Sequence, residues 1–320
     1  PTRAPARKPT IALALGGGGA RGLAHILMLE VLDELGLRPV AIAGTSIGAI
    51  YGAAYAAGLP AKLLRAHTEE TLGARFDLVR QLLSARAAPL QRILNLIPLP
   101  TALLDPVAVL DIVLPSRMPG HFSDLAIPTQ IVATDFYGQE PVVFSSGPLK
   151  RAIAASMALP AVFQPVVVEG RALVDGGLVN PLPFDLVAGK ADITVAIDVA
   201  GAADAPEPGG HPSAYEVMVS ASQILQRSIV HEKLKSTRPD VYINVDGKRF
   251  HVLEFYRATE ILKAAEPARQ ELRRKLSKLI AAETVPAIED AAPEPIEPAL
   301  PGRRPKRGLA GLLPPRKRRK

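Results

Sequence analysis

Ile11-Ala12-Leu13-Ala14-Leu15-Gly16-Gly17-Gly18-Gly19-Ala20-Arg21-Gly22 reads as a short buried strand that empties into a glycine loop. From Ala20 to Leu35, apolar residues recur at Leu23, Ile26, Leu27, Leu29 and Val31, the spacing of a helix with one buried face, and Gly36 supplies a C-terminal cap. A second apolar run, Val40 to Ala43, follows and leads into Gly44-Thr45-Ser46-Ile47-Gly48. Strand, loop, helix and strand in that order make a βαβ unit, whose crossover is right-handed in nearly every case and whose strands lie parallel. Both loops are therefore expected to open on the carboxyl edge of one sheet.

The same alternation continues to about Asp198. Further strands are expected at Thr129 to Thr134, Val142 to Phe144, Ala172 to Val174 and Ile193 to Ile197, with helices between them. Covered on both faces, such a sheet is the centre of a three-layer α/β sandwich with mostly parallel strands. Beyond Gly201, a Pro/Gly linker leads to a helix from Ser213 to Lys235, a strand at Val241 to Val245 and a charged helix from about Glu254 to Glu283. The chain then divides into an N-terminal extension (1–10), an α/β domain (11–189), strands and helices that complete its body (190–285) and a Pro-rich basic tail expected to be disordered (286–320). The uncharged stretch Pro39 to Ala61 has the length of a membrane span. Its short β-branched run, glycine turn and small-residue continuation instead predict a buried strand, turn and helix.

Composition narrows the chemistry. With 48% hydrophobic and 22% charged residues the chain matches a folded protein, and its lack of cysteine excludes disulfides, thiolate metal sites and a cysteine nucleophile. Of 38 Lys and Arg, nine fall in Arg303 to Lys320, leaving 29 against 31 Asp and Glu, so the body is close to neutral and nucleic acid is not an expected partner. The basic N-terminus lacks the apolar core of a signal peptide, and a cytoplasmic location, peripheral at the inner membrane surface, is the expectation. Ile93 to Leu104 is apolar without a clean period, so Leu90 to Leu114 is weighed both as a lid or lipid-facing surface and as ordinary helical packing.

The glycine loop removes Cβ atoms where backbone N–H groups must approach an anion, and the helix that follows adds a favourable dipole. A P-loop would end in Gly-Lys-Ser/Thr, which Gly22-Leu23-Ala24 is not. Gly17, Gly19 and Gly22 match a dinucleotide fingerprint, but Ala43-Gly44-Thr45 stands where that fold places an acidic residue. In its place Gly44-Thr45-Ser46-Ile47-Gly48 has the form of a nucleophile elbow, a sharp turn that raises a serine above the sheet. Asp175-Gly176-Gly177, after the Ala172 to Val174 strand, puts a carboxylate on the same edge, within reach of the Ser46 proton. None of His211, His231 and His251 lies at an expected strand end, and His25 is assigned to packing. Asp135, at the end of the Thr129 to Thr134 strand on the same edge, is weighed both as a pocket-lining residue and as a cap or turn residue.

These residues resemble the patatin-like phospholipase family, particularly its small bacterial members. The resemblance runs from Ile11 to about Gly189 on Gly17-Gly18-Gly19-Ala20-Arg21-Gly22, Gly44-Thr45-Ser46-Ile47-Gly48 and Asp175-Gly176-Gly177, in that order. Ala155-Ser156-Met157-Ala158-Leu159-Pro160 and Asn180-Pro181-Leu182-Pro183 are similar to family blocks as well. The resemblance implies a catalytic Ser46–Asp175 dyad without histidine, an acyl-enzyme, an oxyanion hole in the Gly17 to Gly22 loop, no metal or other cofactor, and hydrolysis of lipid acyl esters. Arg21 is expected to orient the loop, to steer an anionic head group or to pair with a nearby carboxylate. Two rival readings stay open: a membrane-surface lipid-binding adaptor with little turnover, and a dinucleotide-dependent oxidoreductase.

Overall fold

The computed structural model describes residues 8–72, 103–201, 214–245, 247 and 250–282. Its strands are β1 (Ile11–Leu15), β2 (Pro39–Thr45), β3 (Thr129–Asp135), β4 (Glu140–Phe144), β5 (Val166–Val168), β6 (Arg171–Asp175), β7 (Ile193–Asp198) and β8 (Val241–Asn244). The α-helices are α1 (His25–Glu34), α2 (Ile47–Ala56), α3 (Ala61–Glu70), α4 (Pro106–Val113), α5 (Leu149–Ser156), α6 (Ala214–Ser236) and α7 (Ala258–Ala282). The strands form one sheet in the order β5-β6-β3-β2-β1-β7-β8, with β4 also on β3. β1 pairs in parallel with β2 and β7, β2 with β3, and β7 with β8. The fold is thus the expected α/β sandwich around a mostly parallel sheet.

Side-chain alternation along β1 builds the two faces. Ile11, Leu13 and Leu15 point into the core that holds α1 and α7, together with Val195, Ile197 and Ile243. Ala12 and Ala14 point the other way, where Ala41, Ala43 and Ala196 leave room for Leu182, Phe184 and Val230 of α6. A third cluster packs Ala49, Leu110 and Ile153 of α2, α4 and α5 against Ile131, Val142 and Leu173. Each fully buried Leu or Ile contributes about 1.5–3 kcal/mol, and β1 is wholly buried.

The departures from the expected elements have local causes. The Ala20 to Leu35 helix begins as a 3-10 turn over Gly19–Ala24, and α1 starts at His25. Ala20 N–H donates to Val252 O at 2.8 Å, a bond from outside the helix that pulls its first turn tight. β5, three residues long, carries too little pattern to be read from sequence. Pro39 to Ala61 resolves into β2, the Ser46 turn and α2, and among the described residues no helix is long and apolar enough to cross a membrane. Of Leu90 to Leu114, residues 90–102 lie outside the described residues, and α4 begins with Asp105 capping Val107 N–H at 2.8 Å. The expected basic tail also lies outside them.

Candidate active site

The site is made by two strands that meet end to end on one edge of β3. β4 occupies one edge, with Val143 opposite Val132 and Val142 opposite Ala133. Along the other edge, β2 runs parallel until Thr45 pairs with Val132, and β6 arrives antiparallel until Asp175 pairs with Ala133. The carboxyl ends of β2 and β6 thus abut, and Ser46 Oγ donates to Asp175 Oδ2 at 2.6 Å.

Ser46 occupies a demanding backbone conformation, φ 56° and ψ −123°, of a kind that costs roughly 1–3 kcal/mol for a residue other than glycine. Three contacts hold it. Ser46 N–H donates to Ser156 Oγ at 2.8 Å, and Ser156 is fully buried. Ser46 O accepts from Ala49 N at 2.9 Å as α2 begins. Thr45 Oγ1 donates to Asn180 O at 2.8 Å. The elbow also needs a glycine at 48: a Cβ there would stand 2.2 Å from Leu15 O, because the turn packs on the end of β1.

Asp175 is buried, and its two oxygens have separate tasks. Oδ1 accepts from Gly177 N at 2.7 Å while Oδ2 faces Ser46. Burial pushes the carboxyl up to about 6, and the Ser46 and Gly177 hydrogen bonds oppose that shift. His231 and His251 are exposed, the His231 ring facing Glu232 and the His251 backbone N–H donating to Glu254, and His211 lies outside the described residues. Asp135 closes a turn, accepting from Tyr137 N at 3.1 Å and Gly138 N at 2.9 Å.

In the glycine loop the structure corrects an expectation. Gly17 N–H donates to Pro181 O at 2.9 Å and Ala20 N–H to Val252 O, so these two amides of the Gly17 to Gly22 run are turned into the protein. The reason is packing of the loop against Asn180-Pro181 and against Val252. Among the described residues no hydrogen bond engages the N–H of Gly18 or Gly19, and both line the cavity with Ser46. Arg21 bonds carbonyls: Nε donates to Gly18 O at 3.2 Å and Nη1 to Gly201 O at 3.0 Å. In a trans peptide C=O and N–H point in opposite directions, so the pull on Gly18 O turns Gly19 N–H away from Arg21. Burial lowers the Arg21 guanidinium to about 10, against the pull of Asp198. His25 Nε2 stands 2.9 Å from Gly16 O and its buried Nδ1 has no partner among the described residues, so the ring is neutral with its proton on Nε2; burial lowers it to about 4.

One tripeptide braces the elbow to this loop. Asn180 O takes Thr45, Pro181 O takes Gly17, and Leu182 O accepts from Lys233 Nζ of α6 at 2.9 Å. Lys233 also reaches Asn180 Oδ1 at 2.7 Å and the Asp185 carboxylate, and burial lowers its ammonium. Sequence reasoning quoted Ser156 and Asn180 only as blocks, and it missed Lys233 altogether. No local pattern marks a residue whose partner lies on a distant element.

Ser46, Asp175, Gly18 and Gly19 open into a cavity of about 190 Å³. Its wall is mostly apolar, with Ile50, Tyr51, Ala54, Leu64, Val109 and Val113. An elbow serine bonded to a buried carboxylate, where the carboxyl ends of β2 and β6 abut, defines the chain as an α/β protein with a strand–turn–helix elbow at the edge of a mostly parallel sheet.

The patatin-like phospholipase family model matches residues 13–188, over half of the chain, and the chain belongs to that family. An uncharacterized NTE family protein of Mycobacterium tuberculosis is 38% identical over 206 residues, 64% of this chain and 53% of its own length. This chain therefore spans about half the length of the mycobacterial relatives it matches. Human patatin-like phospholipase domain-containing protein 6 is 33% identical over 193 residues, 59% of this chain and 13% of that one. Among solved structures, VipD from Legionella pneumophila is 15% identical with a TM-score of 0.44, covering 85% of this chain and 67% of that chain.

Proposed function

We propose that the protein is a serine hydrolase of lipid acyl esters, with Ser46 as nucleophile and Asp175 as its general base. The observation that carries this reading is the 2.6 Å hydrogen bond between Ser46 Oγ and Asp175 Oδ2 at the head of an apolar cavity. A carboxyl near its ordinary value of about 3.9 is a weak base. One raised to about 6 by burial is a better proton acceptor and still ionised at neutral pH.

In the first half-reaction the Ser46 oxygen attacks the ester carbonyl carbon as its proton passes to Asp175. The carbonyl oxygen becomes an oxyanion, and the N–H groups of Gly18 and Gly19 are the donors proposed to hold it, each such donor contributing about 3 kcal/mol. The start of α2 directly after Ser46 favours the same negative charge. Collapse expels the alcohol, which takes the proton from Asp175 and leaves an acyl-Ser46. Water then attacks that carbon, loses its proton to Asp175, and the acid departs as Ser46 Oγ recovers a proton.

The cavity wall suits an acyl chain, since each buried methylene contributes about 0.8 kcal/mol. Contact with a lipid surface belongs to the same reading: α6, which lines the cavity through Ser222, Gln223 and Gln226, exposes Val217, Ile224 and Leu225 on its outside. The test is turnover of p-nitrophenyl esters and mixed phospholipids by wild type, Ser46→Ala and Asp175→Asn, with labelling by a fluorophosphonate. Both variants should lose turnover and Ser46→Ala should also lose the label; full turnover by either variant would refute the reading.

A further inference from the structure

Gln226 lies beyond the residues matched to the family, yet from α6 it lines the same cavity as Ser46 and Asp175. It is 8% exposed, and among the described residues its amide makes no hydrogen bond. The amide lies on the cavity wall, where its two N–H donors and its carbonyl can bond a polar occupant of the cavity.

The geometry says where that occupant sits. Gly177 separates Gln226 from the carboxylate: a Cβ on it would stand 3.0 Å from Asp175 Oδ1 and 3.1 Å from Gln226 Nε2. The glycine thus leaves the space between the Asp175 carboxylate and the Gln226 amide free of a side chain. Both border the cavity that contains Ser46.

We propose that Gln226 orients the water that hydrolyses the acyl-enzyme, holding it beside Asp175. This rests on the dyad reading given above. During acylation the Ser46 hydroxyl itself fills the hydrogen bond to Oδ2, so no water has to be placed. Once Ser46 carries the acyl group that proton is gone, and a water takes its place between the Gln226 amide and the carboxylate. Its oxygen bonds to the acyl carbon, its proton moves to Asp175, the carbon–Oγ bond breaks, and the Asp175 proton returns to Ser46. Gln226 therefore acts on the second half-reaction and leaves the first untouched.

The experiment follows the acyl-enzyme by acid quench and intact mass during turnover of a soluble p-nitrophenyl ester, with the p-nitrophenol burst measured in parallel. Gln226→Leu, and Gln226→Met in case the shorter side chain leaves a hole, should slow decay of the acyl-enzyme about tenfold and keep the burst rate within about twofold. Decay at the wild-type rate in folded variants, or burst and decay falling together, would overturn the proposal. Ser46→Ala separates the two readings. If it still acylates, the dyad itself is wrong and this inference falls with it; if it does not acylate and the Gln226 variants decay normally, only the water-orienting role falls.

Discussion

The Ser156 hydroxyl accepts the N–H of Ser46 at 2.8 Å, joining the end of α5 to the turn that carries the candidate nucleophile. That bond is what a positive-φ serine requires, since its amide is turned away from any helix or strand partner. Ser156→Ala should leave the Ser46 N–H unpaired in the interior, costing about 1–3 kcal/mol of stability. It should also lower kcat more than KM. Urea unfolding and steady-state kinetics on a soluble ester check both effects, and unchanged kcat would show that the elbow holds itself.

Asp175 gives a pH dependence with a definite sign. Activity needs the ionised carboxylate, so kcat/KM should rise with pH through about 6 and then level off. Stability runs the other way. The folded-state value lies above the ordinary 3.8, so the native state holds more protons between about 4 and 6, and this group's contribution falls as pH rises through that window. Asp175→Asn can keep the contacts to Gly177 and Ser46 without the buried charge. It should be inactive and, at pH 8, more stable than wild type by up to about 3 kcal/mol, the gain disappearing near pH 4.

His25 has the opposite slope. Its folded-state value, lowered from 6.5 to about 4 by burial, means that the unfolded chain takes up the proton first. Its contribution is complete above about 6.5 and is lost as pH falls towards 4, a change of about 3 kcal/mol. His25→Gln retains a donor for Gly16 O and cannot titrate. Its denaturation midpoint should fall less steeply than that of wild type across this range, and parallel curves would remove His25 as the source.

Arg21 orients the Gly18–Gly19 peptide through Gly18 O. Arg21→Met should let that peptide turn and lower kcat by about a hundredfold or more with little change in KM, in line with loss of one oxyanion donor. Arg21→Lys, which can reach one carbonyl only, should fall between the two. A rise in KM alone would point to a head-group contact in its place.

Much of the fold was legible in local pattern. β1 spans the expected Ile11 to Leu15, and the glycines around Ser46 announced a close turn whose partner, the end of β1, emerged only on folding. The glycine loop was read too generously, because seven residues of permissive backbone do not disclose which amides turn inward. Gly17 and Ala20 are committed by Pro181 and Val252, residues far along the chain. Lys233 was missed, and Ser156 was read only as part of a block, for the same reason: each bonds across elements, a contact that no periodicity records.

By itself the amino-acid sequence determined the succession of buried strands, turns and amphipathic helices, and hence which residues could stand on the carboxyl edge of a parallel sheet. Tertiary structure alone decided which of them meet. The antiparallel entry of β6 beside β3 sets Asp175 one residue beyond Thr45 on the same strand edge, and α6 adds its residues to the wall of the cavity they share. Strand register is set by packing and hydrogen bonding across the whole sheet, so it becomes definite only when the sheet is assembled.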